Sequence, residues 1–132
     1  MAKRGDLKKS YARALYNFGD GGTAAAQTIA DSTSIPIGSI VTGVTMHAIQ
    51  AMASSGSATF SVTVGGVAVT GAVPKTALTA GLVTANGGGS VNVGGKTTNA
   101  DAIGLTIGTA AVNDPGNTNP MLEIIVEYTT TN

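Results

Sequence analysis

Cysteine and tryptophan are absent from this chain of 132 residues. Without thiols there is no disulfide framework, no thiol nucleophile and no thiolate metal site. Aromatic side chains are few: Tyr11, Tyr16, Phe18, Phe60 and Tyr128 are the whole set. Charged residues make up 11% of the sequence, and none lies between Asp31 and Lys75. That uncharged stretch is broken throughout by Ser, Thr, Gly and Gln. It never reaches about 18 continuous apolar residues, which excludes a transmembrane helix. The basic start lacks the apolar run of a secretory signal, so the expectation is a chain made and kept in the cytosol. Gly, Ala and Thr supply 58 residues against 27 for Val, Ile and Leu. A core built from this material is thin and leans on β-branched side chains, each worth about 1.5–3 kcal/mol when buried. Set against the conformational entropy of such a body, this implies that part of its stability comes from self-association or a partner surface.

What charge there is falls into two parts. Five of the seven basic residues lie in the first thirteen positions: Lys3, Arg4, Lys8, Lys9 and Arg13. With Asp6 the one acid among them, this segment carries a net +4, and residues 14–132 carry a net −4. A formally neutral chain thus consists of a basic arm on a faintly acidic body, a distribution that suits docking on another surface.

The body alternates with a period of two, the pattern of a half-buried strand. Val44, Met46, Ala48 and Gln50 oppose Thr45, His47, Ile49 and Ala51, and Ala58, Phe60, Val62 and Val64 oppose Thr59, Ser61 and Thr63. Val67 and Val69 follow Gly65-Gly66, a doublet suited to a hairpin turn. Val91 with Val93 and Ile103 with Leu105 and Ile107 read as two more strands. In the last strand Leu122, Ile124, Val126 and Tyr128 form an apolar face, and Met121, Glu123, Ile125 and Glu127 a mixed one. Pro36-Ile37-Gly38, Ser54-Ser55-Gly56 and Asn113-Asp114-Pro115-Gly116-Asn117 carry turn chemistry. The one helical stretch suggested in the body is Lys75 to Val83, through Ala77, Leu78 and Leu82. Residues 11–18 fit either a helical stripe or a strand. The Gly-rich turn at 19–22, followed by Thr28-Ile29-Ala30, favours a strand in a hairpin, with residues 1–9 as a basic tail. Short strands punctuated by turns read as a sandwich or barrel.

No set of residues converges on catalysis. Ser90 to Thr97 approaches a phosphate-binding loop, but Ser90 stands where glycine is needed, and neither a buried strand precedes it nor a helix follows. His47 is the one histidine and has no acid near it in sequence, so a metal site is not expected there. Asp20, Asp31, Asp101 and Asp114 are scattered on turns without the spacing of a calcium loop. Glu123 and Glu127 share a face roughly 13 Å apart, too wide for paired glycosidase carboxylates, and read as a solvated face on an outer strand. Nucleic-acid binding is disfavoured because only the tail is basic. Tyr11, Tyr16 and Phe18 are better explained as anchors that pin the arm to the body or a neighbour. The expectation is no enzyme, no cofactor and no metal.

The segments Tyr16-Asn17-Phe18-Gly19-Asp20-Gly21-Gly22, Ile35 to Val44, Ala58 to Gly65 and Met121 to Tyr128, in that order, resemble the small structural proteins encoded beside the capsid genes of tailed bacteriophages. The resemblance spans most of residues 11–128, and the chain departs from it in its basic first nine residues and in the Gly/Asn stretch around 86–99. It implies a head decoration or cement protein on the virion exterior, assembled in the host cytoplasm. The implied fold is all-β, a jelly-roll-like antiparallel β-sandwich (residues 19–132) with a basic N-terminal arm (residues 1–18) and at most one short helix. The implied partners are the major capsid protein and further copies of the chain, with a trimer favoured; neither membrane nor nucleic acid is among them. The residues expected to hold the capsid are Lys3, Arg4, Lys8, Lys9, Arg13, Tyr11, Leu15 and Phe18. The rival expectation is a fibre or tail-associated sandwich that recognises a host glycan.

Overall fold

The computed structural model describes residues 9–36, 38–79, 81, 83–85 and 102–130. Their strands are β1 (Lys9–Tyr16), β2 (Ala26–Thr28), β3 (Asp31–Ser32), β4 (Ser39–Ala48), β5 (Thr59–Val64), β6 (Val67–Ala68), β7 (Val73–Pro74), β8 (Val83–Ala85), β9 (Ile103–Gly108) and β10 (Leu122–Thr130). One sheet runs β3-β1-β10-β4-β8 and the other β2-β9-β5-β6, with β7 also paired to β5. Every pairing is antiparallel, so the fold is an all-β sandwich. No helix among the described residues is long and apolar enough to cross a membrane.

The period of two decides what is buried. On the first sheet Ala12, Ala14 and Tyr16 of β1, Leu122, Ile124, Val126 and Tyr128 of β10, and Val44, Met46 and Ala48 of β4 point inward. Facing them are Phe60, Val62 and Val64 of β5 and Ile103, Leu105 and Ile107 of β9. Connecting segments close the ends with Ile29, Ile35, Met52, Leu78 and Met121. All of these belong to one continuous cluster, half of it Val and Ile. Three unbranched Met side chains, Met46, Met52 and Met121, fill gaps that the branched residues leave. No buried side-chain nitrogen or oxygen among the described residues lacks a hydrogen-bond partner.

Two irregularities shape the sheets. The pairing of β4 with β10 shifts register so that Glu127 faces Gly43 and Tyr128 faces Val41. Thr42 is the additional residue of this bulge, and it lets both Val41 and Val44, three positions apart, point into the core. The β5–β6 hairpin turns on Gly65 (φ 60°) and Gly66 (φ 84°), left-handed at both positions as the tightest hairpin turn requires.

The structure departs from the sequence reading at several points. The strand expected over 11–18 is present but runs from Lys9 to Tyr16, and it pairs along its whole length with β10. Its hairpin-like partner is β3, through Ala14–Ser32 and Leu15–Asp31, while Ala26–Thr28 crosses to the second sheet and pairs with β9. The expected helix over 75–83 shrinks to a 3-10 turn at Lys75–Ala77, and Val83–Ala85 pairs with β4 instead; β-branched Val83 and Thr84 suit a strand better than a helix. The strand expected at Val91 and Val93, and the near phosphate loop around Lys96, lie outside the described residues.

Candidate docking surface

Alternation that buries Ala12, Ala14 and Tyr16 turns Lys9, Tyr11, Arg13 and Leu15 to the outer face of the first sheet. Across β10 that face continues with Glu123, Ile125 and Glu127, and across β4 with Thr42, Gly43, Thr45 and His47. Register sets the neighbours: Tyr11 is opposite Glu127, Arg13 opposite Ile125, and Leu15 opposite Glu123. On the other side of β10, Glu123 is opposite His47 and Ile125 opposite Thr45.

The charges on this face are paired across strands. Arg13 Nε donates to Glu123 Oε2 at 2.5 Å, and His47 Nδ1 lies 3.4 Å from Glu123 Oε1. Lys9 Nζ lies 3.7 Å from Glu127 Oε1, to which Thr42 Oγ1 donates at 2.8 Å. The hydrogen bond from Arg13 holds the Glu123 carboxyl below its ordinary range, with His47 contributing. The hydroxyl of Thr42, brought outward by the bulge, does the same for Glu127, with Lys9 and Tyr11 adding to it. Both carboxylates stay ionised and bound to partners on neighbouring strands. The expectation of an outer strand for Glu123 and Glu127 is therefore corrected: β10 lies between β1 and β4. The acid beside His47 comes from a strand 76 residues further along the chain.

The residues expected to hold a partner separate into three groups. Lys3, Arg4 and Lys8 lie outside the described residues. Lys9, Tyr11, Arg13 and Leu15 come together on one face; Tyr11 is 63% exposed, both cations are exposed and Leu15 is half-buried. Phe18 stands apart, in the 3-10 turn Phe18–Asp20 beyond the far end of β1, packed against the core. Tyr16 is fully buried, and its hydroxyl donates to the Gly21 carbonyl at 2.6 Å. Burial, helped by Asp20, pushes this phenol up to about 12, so it anchors as a neutral donor. Tyr128 is only 9% exposed and offers no stacking platform for a glycan. Ile125, Glu123, Glu127, His47 and Thr42 complete the face, Ile125 lying between the two carboxylates as the alternation of the last strand implies.

Elsewhere the structure offers little chemistry. A shallow depression of about 280 Å³ lies between Met52 and Leu78, with Lys75 at its rim. The Lys75 ammonium donates to the Ser54 carbonyl at 2.8 Å, a contact that ties two loops together. No group of three or more potential metal ligands occurs among the described residues.

No protein-family model matches the chain, and no curated protein matches it. Among solved structures its fold is similar to a chain of the "Cyanophage Pam1 capsid asymmetric unit", with a TM-score of 0.66 and 19% sequence identity. The similarity covers 99% of this chain and 93% of that one, so the two are close in length and alike from end to end.

Proposed function

We propose that this chain is a structural component of a bacteriophage virion, a decoration or cement protein that binds the outside of the capsid and stabilises it. The observation that carries the proposal is the fold shared, over nearly the full length of both chains, with a member of a phage capsid asymmetric unit. The proposed role is structural, not catalytic. The jelly-roll reading has support in the strand order. If the two-residue β3 is set aside and β6 and β7 are counted as one strand, the sheets run first-eighth-third-sixth and second-seventh-fourth-fifth, the interleaving of two Greek keys.

In this reading many copies bind a repeated lattice, so a modest affinity per copy is enough to reinforce the shell. The partner is the major capsid protein, and a trimer is the oligomer the resemblance favours. Lys3, Arg4 and Lys8 are proposed to meet acidic capsid groups, with Lys9, Arg13, Tyr11, Leu15 and Phe18 completing the contact set. The test is to add the purified chain to empty heads lacking it, then measure copies bound per head and the temperature at which the heads rupture. Saturable, many-copy binding that raises the rupture temperature is the expected result. A chain that leaves the heads bare and binds a glycan array instead would replace this reading with that of a host-recognition module.

A further inference from the structure

The geometry points to the outer face of the β3-β1-β10-β4-β8 sheet as the surface that docks, with Tyr11 as its anchor. The matching capsid surface is apolar opposite Tyr11, Leu15 and Ile125, and acidic next to the start of β1. This inference rests on the reading of the chain as a capsid-bound protein and adds to it which face is covered and by what chemistry.

Three observations select this face. Tyr11 is one of three large apolar side chains left exposed among the described residues, with Ile49 and Val67. Val67 belongs to the two-residue β6 and Ile49 follows the end of β4, whereas Tyr11 lies within the eight-residue β1, in register with Glu127 of β10. Tyrosine is among the residue types, with tryptophan and arginine, that are enriched where a desolvated side chain dominates binding energy. Second, Leu15 and Ile125 lie half-buried on the same face, interleaved with charge: Arg13 stands between Tyr11 and Leu15 and opposite Ile125, and Ile125 stands between Glu123 and Glu127. The ion pairs take up those charges within the sheet and leave Tyr11, Leu15 and Ile125 as its apolar contact points. Third, the outer face of the other sheet carries Thr59, Ser61 and Thr63 on β5 and Gly104, Thr106 and Gly108 on β9, with Ala26 and Thr28 of β2 and Ala68 of β6 in register beside them. None of these described side chains is large enough to act as an anchor.

Charge identifies the occupant. Glu127 and Glu123 answer Lys9 and Arg13 within the sheet, and Asp31, opposite Leu15, adds a third acid, so the described face itself does not call for an acidic partner. The basic excess lies in the eight residues that precede Lys9 in sequence, where Lys3, Arg4 and Lys8 outnumber Asp6 for a net +2. The acidic group proposed on the partner is matched to that segment and to Lys9, the first residue of β1.

The test uses the full chain and empty heads, with Tyr11→Ala, Ile125→Glu and, on the opposite sheet, Thr106→Glu. The thermal midpoint of each variant is measured first. Tyr11→Ala removes an exposed side chain, so it gives a readout even if Ile125→Glu unfolds. The expected result is at least about a tenfold loss of affinity for Tyr11→Ala, no detectable binding for Ile125→Glu, and unchanged binding for Thr106→Glu. Removing residues 1–8 should flatten the dependence of binding on salt while leaving the Tyr11→Ala effect intact. Wild-type binding combined with indifference to Tyr11→Ala, or loss confined to Thr106→Glu, overturns the face assignment alone. Dimers in solution that Tyr11→Ala dissociates also overturn it, because the face would then cover itself. Absence of any wild-type binding overturns the capsid reading as well.

Discussion

The two sheets meet in one core but present different chemistries to solvent. The outer face of the first carries Lys9, Arg13, Glu123, Glu127 and His47, joined across strands by ion pairs and a threonine bridge. The outer face of the second has no charge on β5 or β9, where threonine hydroxyls lean over glycines. A chain with so little charge has spent most of its strand-borne charge on one surface. The inner faces, by contrast, are alike in composition. Burial constrains both inner layers in the same way, and the outer layers are where the two sheets differ.

The severest test of the shared core is Phe60→Ala. Phe60 is fully buried, and its truncation should cost about 3–5 kcal/mol in urea unfolding. A midpoint that did not move would mean that the sheets are not held by this layer. The contrast between outer faces is sharpened by one glycine from each. A Cβ on Gly104 would lie 2.6 Å from Thr63 Oγ1 and 2.9 Å from the Gln27 carbonyl oxygen, whereas one on Gly43 would meet nothing nearer than the Glu127 Cβ at 3.8 Å. Gly104→Ala should therefore cost about 1–3 kcal/mol, because backbone must move. Gly43→Ala should leave the thermal midpoint nearly in place, and equal effects would erase the contrast. Smaller still, Glu123→Gln weakens the link from β1 through β10 to β4 and should cost no more than about 1 kcal/mol, as exposed ion pairs do. A double-mutant cycle with Arg13→Ala isolates that coupling.

The least effect is on pH dependence. Both Glu123 and Glu127 are lowered in the folded chain. At a pH between the folded and unfolded values the unfolded chain binds more protons, so these groups stabilise the fold above the ordinary carboxylate range. That contribution fades as the pH falls through their folded values. Changing both to glutamine should flatten the stability profile below about pH 5; an unaltered slope would show that the pairs contribute nothing.

Alternation was enough to read the inner faces. Phe60, Val62 and Val64, and Leu122, Ile124, Val126 and Tyr128, are buried as their period of two implies, because hydrophobic burial acts residue by residue. Pairing was not legible in the same way. Glu123 finds Arg13 and His47 only because β10 lies between strands from distant parts of the chain, and period says nothing about neighbour order. The bulge at Thr42 was equally hidden, although Val41 and Val44 three apart violate a strict period of two and mark its place. Tyr11, Tyr16 and Phe18 looked equivalent in sequence. The pleat leaves Tyr11 exposed and buries Tyr16, and the strand ends before Phe18. Tyr16 and Tyr11 lie on opposite faces because they are five positions apart, an odd interval along the strand.

Lys9 stands opposite Thr129, so the chain enters and leaves this sheet side by side. Tension applied between these two positions peels β1 from β10 one residue pair at a time, the mode of rupture that needs least force. Tension between Lys9 and the far pole of the molecule instead strains all eight pairs of that register in shear. The same eight pairs therefore resist a pull on Lys9 differently according to where the opposing force is applied.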